Sequence, residues 1–319
     1  MGALNREQGC GMAIAWGSLG GLYLRLVGGI LLGIGLGRVL PGWVPQRVGW
    51  FLFWIGVPVS CVAFIRRADL RAGAPVAIGA AWLGMAIAIG CTAVWFLLTA
   101  QGRGLNRAER GSLMIGALFG NTGYLGYPIT LTLVGDRAFG WALFFDLFGT
   151  TLGAYCLGSM VAAWLSGRSQ GIWQSIGAGL ANPTFLGAIV GVMSQGVALP
   201  MGVEAALQRF AWTVVGSALV LIGMRLSRWR PRRSLAKVWP SLLIKLMVVP
   251  LGLGLSLRGM GVTSPLLLTV VLQAAMPPAF ATLVIAEAYD LDRELAVTAI
   301  AVGTGGILLL LPVWLWMFS

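Results

Sequence analysis

Apolar residues in this chain gather into ten stretches, most of them close to the roughly 20 residues that a helix needs to cross a bilayer. Segment one covers about residues 20–37, two 48–65, three 75–99, four 109–134 and five 139–165. After a polar stretch at 166–171, segment six covers 176–197, seven 206–226, eight 238–257, nine 264–288 and ten 295–318. Residues 9–19 either lengthen segment one or lie at the surface. Soluble domains carry roughly 25% charged residues. This chain carries 10%, too little polar surface to cover a globule. A bilayer also requires each crossing segment to satisfy its own backbone, so the expected class is an all-α membrane protein.

Two segments cannot be regular helices. Segment four contains Gly120-Asn-Thr-Gly-Tyr-Leu-Gly-Tyr-Pro-Ile-Thr130, and segment nine contains Gln273-Ala-Ala-Met-Pro-Pro-Ala-Phe280. Proline lacks the N–H that the helical ladder uses, and its ring clashes with the carbonyl one turn back. Open backbone at membrane depth is tolerated only where it packs on protein or lines a cavity. In transporters such discontinuous helices form the substrate site. Gly120, Gly126, Pro128, Pro277 and Pro278 are therefore read as helix-breaking residues.

The same residues exclude other chemistry. With no histidine there is no Ser-His-Asp triad and no His-ligated metal. Cys10, Cys61, Cys91 and Cys156 are scattered without Cys-x-x-Cys spacing and read as small apolar filler. No metal, cofactor or enzymatic activity is expected. The net charge of +12 sits mainly in short loops, which points to the lipid bilayer and not to nucleic acid. Met1 to Cys10 is polar and reads as no cleavable signal.

Alternating the loops of ten segments puts Arg6, Arg66, Arg67, Arg71, Arg137, Arg209 and Arg258 on one side. Arg38, Arg47, Arg103, Arg107, Arg110, Arg168, Arg225, Arg228, Arg230, Arg232, Arg233, Lys237 and Arg293 fall on the other, which the positive-inside rule makes cytoplasmic. Both termini then face away from the cytoplasm of a cell membrane. The densest run, Arg225 to Lys237, reads as an anchor on anionic lipid. Trp43, Trp50, Trp141, Trp164, Trp173, Trp229, Trp239 and Trp316 read as interface anchors, and many of the 47 glycines as close helix contacts.

Five segments per half is an odd number, so homologous halves must be inverted. Residues 12–165 and 171–318 are the candidate repeats, giving units 1–170 and 171–319 in which segments four and nine correspond.

The Asn-Thr-Gly-aromatic-x-Gly-x-Pro pattern at Asn121–Pro128 resembles the auxin efflux carrier family. Ala181-Asn-Pro-Thr184, Lys245–Pro250, Met276-Pro277 and Ile285–Asp292 are similar to other stretches of that family. The double Pro277-Pro278 departs from its commoner single proline, and the long hydrophilic loop of the plant carriers is absent. The resemblance implies ten helices in two inverted five-helix repeats, with helices four and nine crossing at their broken centres. It also implies a homodimer held by scaffold helices 1, 2, 6 and 7, with helices 3–5 and 8–10 forming a transport domain that moves elevator-fashion.

A broken helix presents free N–H groups and the positive end of its dipole, which suits an anion. Asn121 is the leading candidate for substrate contact, or it caps the half-helix. Thr122, Gly123 and Tyr124 join it, with Gln273 and Met276 as counterparts from the second half. Asp146, the acid deepest in an apolar run, is read as ion-coupling, as hydrogen-bonded to a neighbouring helix, or as paired with Lys245. Lys245 and Arg25 are expected to snorkel, with Lys245 also a candidate ion-coupling residue, and Glu287 to sit near the cytoplasmic rim as a helix-end or ion-coupling residue. The expected function is a secondary carrier of a small organic anion, a carboxylate or auxin-like acid, with a proton or sodium ion as candidate coupling ion. A ligand-gated channel or membrane-embedded sensor of the same ligand class is the alternative.

Overall fold

The computed structural model describes residues 2–67, 73–135, 139–167, 177, 181–227 and 235–319. Helix α1 is Gly2–Val39, α2 Trp43–Ile65 and α3 Ala74–Leu98, with a single turn at Ala100–Arg103. Next come α4 (Arg107–Leu118), α5 (122–133), α6 (Phe139–Ser166) and α7 (Pro183–Met193). The remainder is α8 (Met201–Leu226), α9 (Leu235–Gly259), α10 (Leu266–Ala274), α11 (Phe280–Ala288) and α12 (Arg293–Phe318). Among the described residues α2, α3, α6, α8, α9 and α12 are long and apolar enough to cross a membrane. Residues 9–19 continue α1 without a break. Arg71, Arg137, Arg168, Trp173, Trp229 and the Arg228–Arg233 part of the basic run lie outside the described residues.

The outer surface suits lipid. Leu24, Leu31, Leu97, Leu98, Met193, Leu309 and Trp316 are exposed, an apolar area that water would penalise. Arg25 is exposed, as a snorkelling residue must be. Trp43, Trp50, Trp164, Trp239 and Trp316 are exposed as well, but Trp141 is not an anchor. Its ring is buried over Gly73, where a Cβ would lie 1.5 Å from a ring carbon.

Glycine sets the closest helix contact. A Cβ on Gly33 of α1 would lie 2.1 Å from the Val220 carbonyl oxygen of α8, and one on Gly223 would lie 2.0 Å from that of Ile30. With no hydrophobic drive between helices in lipid, this backbone approach is what dispersion needs. Some of the helices start on short polar caps. The Asn106 side chain accepts from the Glu109 N–H, while the Glu109 carboxylate accepts from the Asn106 N–H, a capping box that starts α4. Asp292 caps α12 on Leu295 N at 2.9 Å.

Helix packing through Gly223 gives a direct test. Gly223→Ala puts a methyl against backbone that cannot yield, so overpacking lowers the melting temperature by several degrees. Gly28→Ala, which meets nothing within 4 Å, leaves it unchanged; thermal unfolding in detergent compares the two.

Candidate functional site

The two breaks meet. Phe119–Asn121 separates α4 from α5, and Ala275–Ala279 separates α10 from α11. Gly120 and Pro278 form an isolated antiparallel bridge. Asn121 N–H donates to the Pro277 carbonyl at 2.7 Å, and Ala279 N–H donates to the Phe119 carbonyl at 3.0 Å. Gly120 and Pro278 are thus a non-hydrogen-bonded pair, whose own amides play no part in the ladder. That explains how proline can stand at 278: the N–H it lacks would not have been used.

Glycines seat this crossing. A Cβ on Gly303 of α12 would lie 2.8 Å from Pro278 Cδ and 3.1 Å from Pro277 Cβ. Gly158 of α6 does the same for the Phe119 ring, at 2.7 Å. Each break therefore packs on a glycine of the helix that follows it.

The sequence placed the first break too broadly. Gly120, Pro277 and Pro278 stand at the breaks, but Gly126 and Pro128 lie inside α5. Residues Thr122–Gly126 form a wide π turn, which relieves the ring clash that Pro128 would cause in a regular helix. Gly126 has a different use: a Cβ there would lie 2.4 Å from Gln273 Oε1.

A cavity of about 430 Å³ opens beside the crossing. Asn121, Thr122, Gly123 and Tyr124 line it from the first turn of α5, and Ala279, Phe280 and Ala281 from the first turn of α11. Asn182 and Thr184, at the start of α7, line it too. Three helix N-termini thus turn the positive ends of their dipoles to one cavity; α5 and α11 also bring the unbonded N–H groups of their first turns, whereas α7 starts on Pro183, which has none, and its Thr184 N–H is taken by Asn182.

Asn121 and Asn182 use their oxygens locally. Asn121 Oδ1 accepts from Tyr124 N–H at 3.3 Å, and Asn182 Oδ1 from Thr184 N–H at 2.8 Å. Only oxygen can accept these bonds, which fixes each amide's orientation. The Nδ2 groups have no acceptor among the described residues, so both carboxamides offer donors. Capping and ligand contact, read from the sequence as alternatives for Asn121, are compatible in one side chain.

Asp146 lines the same cavity from α6. Its carboxylate accepts from Thr122 Oγ1 and, at 2.5 Å, from Tyr127 OH. The pairing with Lys245 does not form among the described residues: the Asp146 partners are α5 hydroxyls, and Lys245 stands beside Gly120 instead. Lys245 does not snorkel either: it is 4% exposed, and its Nζ would lie 3.2 Å from a Cβ on Gly120. It stands at the crossing, near the Met276 carbonyl and the carbonyl ends of α4 and α10, where a cation is favoured.

Gln273 and Met276 are fully buried and do not line the cavity. Gln273 Nε2 donates to Thr130 Oγ1 at 3.1 Å and ties α10 to α5, while its Oε1 has no donor. Glu287 is exposed on the last turn of α11, outside the cavity lining. Several lining residues went unread as site residues, among them Tyr127, Asn182, Thr184 and Arg225. Arg225 was concealed by the basic run it begins; its position inside the apolar segment 206–226 was the available signal.

The Asp146 network predicts a stability effect. Thr122→Val and Tyr127→Phe each remove a donor to a buried carboxylate and cost about 1–3 kcal/mol. Chemical unfolding in micelles measures it; wild-type stability in both variants would contradict the assignment.

Residues 171–315 match the family model described as membrane transport protein. An uncharacterized transporter of Methanothermobacter thermautotrophicus is 28% identical over 223 residues, 68% of this chain and 71% of that protein. An uncharacterized transporter of Methanocaldococcus jannaschii is 25% identical over 227 residues, 67% of this chain and 70% of that one. The family match covers the α10–α11 break and agrees with the resemblance read from the sequence. Residues 171–315, just under half of the chain, are thus similar to that family, and the described residues hold six helices long and apolar enough to cross a membrane.

Proposed function

We propose that this protein is a secondary carrier of a small organic anion, a carboxylate or auxin-like acid, bound in the cavity beside the crossing. One observation carries the reading: the cavity's polar groups are dominated by donors. Three helix N-termini and two asparagine Nδ2 groups line it, and its one acid, Asp146, has hydroxyls on both oxygens. Such a wall stabilises negative charge, with each helix end contributing roughly 0.3–1 kcal/mol and more where partly buried. The remaining lining is largely apolar, including Phe53, Phe64 and Val214, and suits an organic body.

On this reading the chain is two inverted five-helix repeats, 1–170 and 171–319, with α4–α5 and α10–α11 as the corresponding broken helices. The glycine seats at Gly158 and Gly303, each on the helix after a break, support that correspondence. Helices α1, α2, α7 and α8 form the scaffold of a homodimer, and the rest moves as a transport domain. The tight α1–α8 contact supports a rigid scaffold. Gly49, Trp50 and Phe53 of α2, Asn182 and Thr184 of α7 and Arg225 of α8 line the cavity from the helix ends next to the arginine-rich loops, which supports a cavity open to the cytoplasm with both termini on the opposite side. Of the residues weighed for ion coupling, only Asp146 reaches the cavity, which makes it the candidate for proton or sodium coupling.

Asn121→Asp separates the roles of Asn121. Aspartate still caps α5, so the fold survives. It replaces the donor facing the cavity with an acceptor bearing negative charge. Uptake of labelled carboxylic acids into proteoliposomes falls about tenfold or more, the size of losing a hydrogen bond to a charged group. A folded variant that transports at the wild-type rate removes Asn121 from the site. Saturable uptake with counterflow marks a carrier; flux that rises linearly with concentration marks a channel.

A further inference from the structure

We infer that Arg225 is the anion anchor of this cavity, and that the ligand it selects is a carboxylate on a flat apolar body. The inference rests on the organic-anion reading and narrows it. Arg225 lies one residue before the end of α8 and lines the cavity. Its guanidinium carbon stands 4.4 Å above the centre of the Phe280 ring, on the first residue of α11. Its Nη2 packs on α2 at Gly49, where a Cβ would come within 2.6 Å, so glycine at 49 keeps the seat open.

What sets Arg225 apart is the absence of an acceptor. Among the described residues, three arginines are half-buried: Arg66, Arg110 and Arg225. Arg66 donates to Glu204 and to the carbonyls of Ser194 and Val197, and Arg110 to the carbonyls of Gly102 and Arg103. The Arg225 guanidinium has neither hydrogen-bond acceptor nor ion pair among the described residues. Phe280 covers one face and leaves the N–H edge free, the edge that grips a carboxylate through two parallel bonds. Asp146, in the same cavity, is occupied by Thr122 and Tyr127 and does not compete.

The body of the ligand follows from the walls. Trp50, Phe53, Trp54 and Tyr124 line the cavity together with Phe280. Aromatic side chains favour flat apolar partners in stacked or edge-on contact. The volume of about 430 Å³ falls within the roughly 300–1,000 Å³ usual for small-molecule sites.

The test uses the purified full-length protein in detergent and three probes: phenylacetate, its uncharged methyl ester and 2-phenylethylamine. Binding is read by thermal shift and by quenching of tryptophan fluorescence. Wild type binds phenylacetate and discriminates against the ester and the amine. Arg225→Gln weakens phenylacetate binding about tenfold or more, while Arg225→Lys, which keeps the charge but not the fork, loses less. Gly49→Ala retains the arginine but displaces it, and weakens binding without touching a charge. This second variant decides the matter if Arg225→Gln does not fold. Unchanged affinity in Arg225→Gln and Gly49→Ala, with wild type still preferring the acid, overturns Arg225 as anchor and leaves the carrier reading intact. A wild type that binds no phenylacetate, or binds acid and ester equally, overturns the carboxylate site itself.

Discussion

Two interrupted helices leave backbone groups without partners in a medium that supplies none, and the protein resolves this by bonding each interruption to the other. Asn121 N–H reaches the Pro277 carbonyl, and Ala279 N–H the Phe119 carbonyl. An unsatisfied group in hydrocarbon costs several kcal/mol, so neither break is tolerable alone. The prolines, the glycine at 120 and the glycine seats in α6 and α12 follow from this pairing. Residues in a non-hydrogen-bonded pair need no amide of their own, and their side chains stand close, so small or ring-closed residues fit.

The crossing is electrically polar. Helices α5 and α11 start at it and turn their N-termini to the cavity; α4 and α10 end at it. Lys245, buried beside Gly120, stands among the carbonyl ends. A buried ammonium and a donor-lined cavity are then two responses to one arrangement of peptide dipoles. Lys245 stands near the negative ends within the chain, whereas the positive ends face the cavity, where the proposed anion would sit.

Much of this was legible in the sequence. The apolar segments and the cap at Asn121 are local signals, because a helix start needs an acceptor within three residues. The two breaks were legible because proline and glycine act locally. What failed needed knowledge of neighbours. Pro128 signals a break, yet the π turn at Thr122–Gly126 absorbs it. Gln273 and Met276 sit on the second break's segment but turn toward α5 and the crossing instead of the cavity. Trp141 has the residue type and position of an interface anchor, but a glycine in another segment, Gly73, opens a pocket for it. Arg225 looks like one basic residue in a basic run until Phe280 and Gly49 are seen around it.

Cysteine cross-linking of Gly120→Cys with Pro278→Cys, in a protein whose four native cysteines are replaced, tests the pairing of the breaks most directly. In native membranes mild oxidation joins the pair in high yield, seen after proteolysis between α6 and α7 as two fragments that separate only on reduction. Fragments that separate without reductant, while a control pair at Gly116 and Ala299, where a Cβ on Gly116 would lie 3.9 Å from that of Ala299, stays joined, would contradict the account.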